Sequence, residues 1–343
     1  MTVLITGGAG FIGSHLAERC LKQGWAVRVL DDLSTGAEEN LAHLKDSPAL
    51  EFVHGSVLDR RLLDEVMQGC DLVFHLAAAV GVRLILDSPI RSIGTNIHGT
   101  ESVLAAAAPH RIPVFIASTS EVYGKSTAIP FREDDDLVLG ATTKARWSYA
   151  ATKALDEFLG MAYWNHGGVP VTVVRFFNTV GPRQTGRYGM VLPTFVRQAL
   201  KGEPITVFGT GEQRRCFGYV GDVTEMLVRL AQTPGVVGEV INIGNDREIS
   251  INDLARLVKQ VSGSSSPIVH VPYEAAYGDG FEDMERRVPC LEKLRLLTGS
   301  RPETSTEAIV HAVVDYQRLQ TAPLGLPVSR PAARAASGAG FGD

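Results

Sequence analysis

Two side chains in the stretch "YAATK" have the types and the spacing of an acid–base pair. Tyr149 and Lys153 stand four residues apart, so a helix would place them on one face. A lysine ammonium beside a phenol favours the phenolate, and a phenolate is a usable base for a hydroxyl group. By itself the pattern is weak, because any helix can carry it by chance. Its meaning depends on the elements that position it.

A second group of polar side chains follows directly after the apolar run "IPVFIA". Ser118, Thr119 and Ser120 supply hydroxyls, and Glu121 adds a carboxylate. The apolar run predicts a buried strand, and burying a carboxylate without partners is costly. Either the end of this strand is exposed to water, or Glu121 has a chemical role there.

Apolar runs alternate with helical patterns over the first half of the chain. They predict strands at 2–6, 26–32, 50–55, 71–77, 113–118 and 171–178. Between the first two, Leu16, Cys20 and Leu21 share a face of a helix predicted over 14–24. Continuous apolar strands alternating with helices indicate a parallel sheet covered on both faces. The sequence therefore predicts an α/β fold with a doubly wound parallel sheet, a Rossmann domain over residues 1–178.

The stretch "TGGAGFIGSH" (6–15) follows the first predicted strand and opens the first helix. Gly7, Gly10 and Gly13 allow a tight turn and let the backbone approach a pyrophosphate, while the helix N-terminus offers N–H donors. The second strand ends in Asp31 and Asp32, and Asp31 lies 18 residues after Gly13. A carboxylate there can bind ribose hydroxyls and repels a 2′-phosphate. The pattern predicts NAD rather than NADP, with Asp31 as the favoured contact.

After residue 178 the pattern loosens into short elements separated by Gly- and Pro-marked turns. We interpret 179–319 as a smaller, substrate-binding lobe, with a strand at 238–244 and a helix at 250–263. A segment near 215–250 is expected to return to the large sheet. Residues 320–343 are biased to Ala, Gly, Pro, Ser and Arg, so we expect this tail to be disordered.

Bulk composition excludes several classes of protein. The net charge of −5 argues against nucleic acid as a partner. No apolar run is long enough for a membrane span, and the first strand begins too early to leave room for a signal peptide. The cysteines at positions 20, 70, 216 and 290 have no metal-ligand spacing, so no metal site is predicted. These features together indicate a cytoplasmic protein.

With the glycine loop and the Tyr-x-x-x-Lys pair about 140 residues apart, the chain resembles the extended short-chain dehydrogenase/reductases that modify nucleotide sugars. The resemblance covers roughly residues 1–318. It implies that Tyr149 is the base, that Lys153 orients the ribose and tunes Tyr149, and that Thr119 is the preferred catalytic hydroxyl beside Ser120. Cofactor contacts are expected from Gly7, Gly10, Phe11, Ile12, Gly13, Asp31, Asp32, Leu76, Ala77, Ala78, Asn96, Ser118, Tyr149 and Lys153.

The pair Ser120–Glu121 separates the branches of this family. A 4,6-dehydratase of the family pattern would carry Asp then Glu there, and a simple 4-epimerase needs no extra carboxylate. Ser–Glu before "VYG" resembles the UDP-glucuronate decarboxylases, as do "KARWSYAATK" (144–153) and "YGDGFEDMERRVPC" (277–290). The resemblance implies that Arg146 meets an anionic sugar, and that Arg287 lies beside the substrate carboxylate and assists Glu121 in catalysis.

Further residues are expected to bind the rest of a UDP-sugar. Asn178 closes a strand at the edge where ligands bind in such sheets, and Arg215 follows a glycine turn and can hydrogen-bond a diphosphate. The preferred activity is decarboxylation of UDP-glucuronate. A UDP-sugar 4-epimerase and, less favoured, a non-catalytic NAD-sensing regulator stay open as alternatives. The family resemblance also implies a homodimer, formed by helices near 95–108 and 149–165.

Overall fold

The computed structural model describes residues 1–81, 88–186, 190–273, 275, 284 and 286–321. Its strands, in chain order, are β1 (Thr2–Thr6), β2 (Ala26–Asp31), β3 (Leu50–His54), β4 (Leu72–His75), β5 (Val114–Thr119), β6 (Val171–Phe176), β7 (Thr179–Val180), β8 (Ile205–Phe208), β9 (Arg214–Cys216), β10 (Gly218–Tyr219), β11 (Val240–Ile243), β12 (Glu248–Ser250) and β13 (Ile268–Val271). Its α-helices are α1 (Phe11–Lys22), α2 (Arg60–Met67), α3 (Pro89–Ala107), α4 (Ser148–Gly167), α5 (Val191–Lys201), α6 (Val220–Ala231), α7 (Ile251–Ser262), α8 (Glu292–Thr298) and α9 (Thr306–Thr321).

Within the described ranges, seven of these strands form one parallel sheet in the order β11-β6-β5-β4-β1-β2-β3. The chain starts in the middle of the sheet, winds outward to β3, and then crosses back to build the other half. This arrangement confirms the predicted doubly wound α/β fold. The carboxyl ends of all seven strands share one edge, which is where a doubly wound sheet binds its ligands.

Helices cover both faces of the sheet. On one face, α1, α6 and α8 bury a cluster that includes Leu16, Cys20, Leu227 and Leu294. On the other face, α2 and α3 bury a second cluster, against which α4 packs. The face of α1 predicted from Leu16 and Cys20 is therefore the buried one. The helix begins three residues before the predicted start, because its first turn is part of the glycine-rich loop.

The second half of the chain builds a smaller lobe around its own apolar cluster. Helices α5, α7 and α9 enclose this cluster together with β8 and β13. Between these elements the chain returns to the large sheet, where β11 pairs with β6. Helix α9 continues to Thr321 and so includes the first two residues of the predicted tail. The rest of the tail lies outside the described residues.

Membrane-spanning helices and metal-binding clusters are both absent from the described residues. Over the described ranges, no helix combines the length and the apolar character needed to cross a bilayer. The same residues contain no group of three or more His, Cys, Asp or Glu side chains that could hold a metal ion.

Candidate active site

The glycine-rich loop joins β1 to α1 with almost no space for side chains. Gly7 has a left-handed φ of 72°, and a Cβ atom there would lie 2.7 Å from the Ala77 amide nitrogen. A Cβ atom at Gly13 would lie 2.2 Å from the Gly7 carbonyl oxygen. Gly10 caps α1 with extended backbone and no side chain, and Phe11 begins the helix. The helix N-terminus is thus bare, as binding of a pyrophosphate requires.

Asp31 lies inside this loop, whereas Asp32 faces solvent. The Asp31 carboxylate accepts hydrogen bonds from the N–H groups of Ala9 (2.9 Å) and Leu33 (2.8 Å). Burial raises the pKa of the Asp31 carboxyl, and these N–H donors oppose that shift. The exposed Asp32 accepts from Ser34 N–H at 3.0 Å and from no other of the described residues. This geometry supports the choice of Asp31 as the ribose-binding acid.

The segment after β4 forms the other wall of the cofactor groove. Leu76 donates its N–H to the Thr6 carbonyl (3.1 Å), and Leu76, Ala77 and Ala78 are all partly exposed beside the glycine loop. Buried Asn96 on α3 accepts from the Ala79 N–H at 2.8 Å. Asn96 therefore fixes the backbone of this wall, while its direct contact with the cofactor stays a prediction, as does that of Ile12 at the start of α1.

Together, the bare helix terminus, the close approach at Gly7 and the buried Asp31 fit the diphosphate and adenosine ribose of NAD. The residues that would hold the cofactor come from three neighbouring strand ends, β1, β2 and β4. The fit depends on the missing glycine side chains, since a Cβ atom at either Gly7 or Gly13 would collide with backbone.

Tyr149 and Lys153, the predicted catalytic pair, lie in the first two turns of α4. Lys153 is buried and its ammonium contacts the Asp156 carboxylate at 2.7 Å. Burial raises the pKa of Tyr149 above its usual range, and the negative charges of Glu121 and Asp156 add to the shift. Burial and these carboxylates therefore disfavour the phenolate, and the expected effect of Lys153 on Tyr149 stays a prediction. Thr119 is hydrogen-bonded to the phenol and opposes the shift.

Glu121 lies between two arginines. Its carboxylate accepts from Arg146 on one oxygen and from Arg287, at 2.5 Å, on the other. Both arginines are buried and Glu121 is partly buried, with at most 14% of each side chain exposed. Burial alone would raise the pKa of Glu121, but the charges of Arg287 and Arg146 overcome it and lower that pKa to about 2. The carboxylate at the end of β5 is therefore largely shielded from water, ionised and paired.

Three distant segments of the chain meet in this cluster, which we call the Arg–Glu–Arg cluster (Arg146, Glu121, Arg287). Glu121 follows β5, Arg146 lies in the short 3-10 turn Ala145–Trp147 that leads into α4, and Arg287 comes from the small lobe. The charge of Glu121 acts on Tyr149, so the cluster lies beside the catalytic phenol. Of the predicted stretch 277–290, the structure describes Met284 and residues 286–290.

The two serines that flank Thr119 are buried. The Ser118 hydroxyl donates to Glu157, which is also paired with Arg175 at 2.7 Å. That hydroxyl is thus used within the protein interior, and a contact between Ser118 and the cofactor stays a prediction. Ser120 begins the 3-10 turn Ser120–Tyr123 and is 1% exposed.

Asn178 and Arg215 lie close together beyond the end of β6. The Asn178 amide donates to the Cys216 carbonyl at 2.9 Å, and its φ of 35° lies in the left-handed region. Arg215 is buried on β9 and donates to the Arg214 carbonyl at 2.8 Å. The structure therefore places both predicted substrate-binding residues at the junction of the sheet with the small lobe.

One charged residue near the catalytic pair was not singled out from the sequence. Asp156 is fully buried and is the ion-pair partner of Lys153. The spacing in the sequence could have predicted this ion pair, because Lys and Asp three residues apart on one face of a helix are able to pair.

The family model for the NAD dependent epimerase/dehydratase family matches residues 3–244 of the chain. The UDP-N-acetyl-alpha-D-glucosaminuronate decarboxylase of Bacillus cytotoxicus is 44% identical over 316 residues, covering 92% of this chain and 97% of that protein. UDP-glucuronic acid decarboxylase 1 of Xenopus tropicalis is 35% identical, covering 92% of this chain and 72% of that protein.

Among solved structures, the UDP-glucuronic acid 4-epimerase of Bacillus cereus, in complex with UDP-glucuronic acid and NAD, superimposes with a TM-score of 0.85. It is 29% identical and covers 93% of this chain and 100% of that chain. These similarities confirm the resemblance on which the sequence analysis relied, and they confirm NAD as the cofactor. The glycine-rich loop and the Tyr149–Lys153 pair agree with the family model, which spans most of the sheet. This chain therefore belongs to the NAD-dependent epimerase/dehydratase family.

Proposed function

We propose that this chain is an NAD-dependent decarboxylase of a UDP-linked uronic acid. The observation that carries the proposal is the Arg–Glu–Arg cluster beside Tyr149. Two buried guanidinium groups next to the catalytic base can recognise a sugar that carries a carboxylate, and a neutral sugar has no use for them. The curated relatives named above, which act on UDP-linked uronic acids by name, support the same substrate class.

The first step falls to Tyr149. Its phenolate accepts the proton of the sugar C4 hydroxyl while C4 is oxidised, and Thr119 is placed to share that proton because it is hydrogen-bonded to the phenol. When bound, NAD+ supplies the hydride acceptor for C4, a positive ring that favours the phenolate, and the hydride that later restores C4.

The second step uses the chemistry of the oxidised sugar. A 4-keto uronic acid is a β-keto acid, so cleavage of its C5–C6 bond releases CO2 and leaves the electron pair as an enolate over C5 and C4. Protonation at C5 then gives a 4-keto pentose, and Tyr149 returns its proton to O4 as C4 is reduced. Arg287 and Arg146 hold the carboxylate before it leaves, because each guanidinium carries five donors and can bridge two anions.

Glu121 has a charge-dependent role in this scheme. With a pKa of about 2 it holds no proton at neutral pH, so in this state it orients the arginines. A substrate carboxylate that arrives beside Arg287 adds a negative charge, and a like charge raises the pKa of a carboxyl group. Glu121 would then be able to take up a proton from solvent and deliver it to C5, which balances the loss of CO2.

The nucleotide end of the substrate is assigned to the small lobe, residues 179–319. Asn178 and Arg215 lie where that lobe meets the carboxyl edge of the sheet, and Arg215 supplies a cation for a diphosphate. We propose UDP as the nucleotide because the relatives act on UDP-linked sugars by name. A cytoplasmic location is proposed as well, since all four cysteines are unpaired.

We further propose a homodimer formed by α3 and α4. These helices pack side by side, and each presents large apolar side chains to solvent. Leu155 and Phe158 on α4 are 47% and 69% exposed, and Ile90 and Ile93 are exposed on α3. Apolar stripes on adjacent helices are typical of subunit contacts.

Purified protein should be incubated separately with UDP-glucuronate, UDP-N-acetylglucosaminuronate and UDP-glucose, and both CO2 and the nucleotide products should be measured. Release of CO2 from at least one uronic acid substrate, with none from UDP-glucose, is the expected result. Interconversion of UDP-glucuronate and UDP-galacturonate without CO2 would instead identify a 4-epimerase, the activity named for the B. cereus structure. Equal turnover of UDP-glucose and the uronic acid substrates would refute the role given to the Arg–Glu–Arg cluster.

A further inference from the structure

Lys153 and Asp156 form an ion pair that is shielded from water on all sides. Their side chains are 3% and 0% exposed, and the ammonium lies 2.7 Å from Asp156 Oδ2. The other oxygen, Asp156 Oδ1, makes no hydrogen bond with the described residues. A buried carboxylate of this kind is costly and calls for an explanation.

A row of polar side chains lies between this ion pair and the glycine-rich loop. Burial raises the pKa of the Asp156 carboxyl, and Lys153 and the Thr100 hydroxyl on α3 oppose that shift. Thr100 Oγ1 lies 3.1 Å from His75 Nε2, and His75 Nδ1 lies 2.8 Å from Thr6 Oγ1. Thr6, the residue before Gly7, accepts from the Ala77 N–H at 3.4 Å.

His75 lies between Thr100 and Thr6 in this row of side chains. Burial and the charge of Lys153 lower the pKa of His75 to about 3, so the ring is neutral at neutral pH and Asp156 is left as the counter-charge of Lys153.

We propose that Asp156 is a positioning residue that keeps the Lys153 ammonium charged and fixed one turn after Tyr149 on the same helix. The groups that interact with Lys153 are Asp156 from its own helix and neutral His75 from β4. Glu121 acts on Tyr149 from the turn after β5, and Glu157 acts on Asp156 from α4. Asp156 is thus the only one of these groups in ion-pair contact with Lys153 among the described residues.

Asp156→Asn tests this role through the pH dependence of two measurements. A buried ammonium with no counter-charge loses its proton more readily. The variant should therefore reduce bound NAD+ normally near pH 7 with whichever UDP-sugar the wild type oxidises, and lose about tenfold in rate from pH 8 to pH 9, while the wild type does not. NAD+ affinity of the cofactor-stripped protein, measured by calorimetry, should fall over the same pH range in the variant alone.

Thr100→Val is the matched control, because it removes a buried hydroxyl that acts on Asp156 but leaves the charge of Asp156, and it should keep the wild-type alkaline behaviour. A variant Asp156→Asn with an unchanged profile, or one reduced equally at every pH, would overturn the proposal. If that variant does not fold, Asp156→Ser takes the same test. Of the two measurements that test the role of Asp156, only the rate of NAD+ reduction depends on the proposed function. If no UDP-sugar reduces NAD+, the proposed function fails and the binding measurement still decides the role of Asp156.

Discussion

Replacing Glu121 by Gln removes the negative charge between two buried arginines while keeping the shape of the side chain. The pKa of Glu121 is displaced from an ordinary 4.5 to about 2, and a displacement of that size corresponds to roughly 3 kcal/mol of interaction with the ionised form. The side chain is only 14% exposed, so solvent screens little of this energy. We expect Glu121→Gln to lower the free energy of unfolding by about 3 kcal/mol at pH 7.

The sign of the pH dependence follows from the direction of the shift. A carboxyl whose pKa is depressed by folding stabilises the fold fully above its unfolded value and loses that contribution as the pH falls through the folded value. For Glu121 this window runs from about pH 4.5 down to about pH 2. The stability difference between the wild type and Glu121→Gln should therefore be constant above pH 5 and shrink below it.

Denaturant unfolding of both proteins at several pH values measures this difference. Glu65→Gln is the matched control, because Glu65 forms an exposed ion pair with Arg61 and such pairs contribute under about 1 kcal/mol. Glu121→Gln can also be tested by its effect on catalysis. Addition of UDP-glucuronate should produce NADH that persists, since C4 is oxidised but the later steps stall.

A wild-type free energy of unfolding for Glu121→Gln would show that the charge of Glu121 is not coupled to Arg146 and Arg287. Turnover without accumulated NADH would separately remove Glu121 from the steps at C5. Either result contradicts the reasoning from burial and charge, and the two can be told apart.

Four further predictions concern other parts of the molecule. Tyr149→Phe should lower turnover by about 10²–10⁴-fold with an unchanged melting temperature, and rates near those of the wild type would disprove the assignment. Arg287→Ala should weaken the transition state for a uronic acid substrate by roughly 1.5–3 kcal/mol in kcat/KM and affect UDP-glucose much less; equal effects on both sugars would count against a carboxylate contact. Phe158→Asp should convert a dimer to a monomer in solution scattering, and an unchanged mass would locate the subunit contact elsewhere. Truncation after Thr321 should preserve the melting temperature and activity, and a collapse of activity would mean that the tail docks on the body.

The elements of the large domain were predictable because their signals are local. Continuous apolar strands and the glycine spacing each depend on a few neighbouring residues, and β1, β2 and β5 lie within one or two residues of their predicted bounds. Glycine is required at positions 7 and 13 by close backbone approaches, and the spacing alone identified both. The acid at the end of β2 was predictable for the same reason.

The charge state of the catalytic residues was decided only by the tertiary structure. From the sequence, Lys153 was expected to favour the phenolate of Tyr149, whereas in the folded protein burial and the charges of Glu121 and Asp156 raise the pKa of Tyr149. A pKa depends on which charges lie within a few ångströms and on how much water is excluded, and neither quantity is local in sequence.

The Arg–Glu–Arg cluster shows the same division. The sequence by itself determined that Glu121 stands at the end of a buried strand, and the family resemblance named Arg146 and Arg287. Residues 121, 146 and 287 are brought into contact only by the docking of α4 and the small lobe against the sheet. A carboxylate at a strand end can be exposed to solvent without a functional role, or shielded from solvent and held by ion pairs. The choice between these is made by long-range packing, because only packing removes the water and supplies the two guanidinium groups.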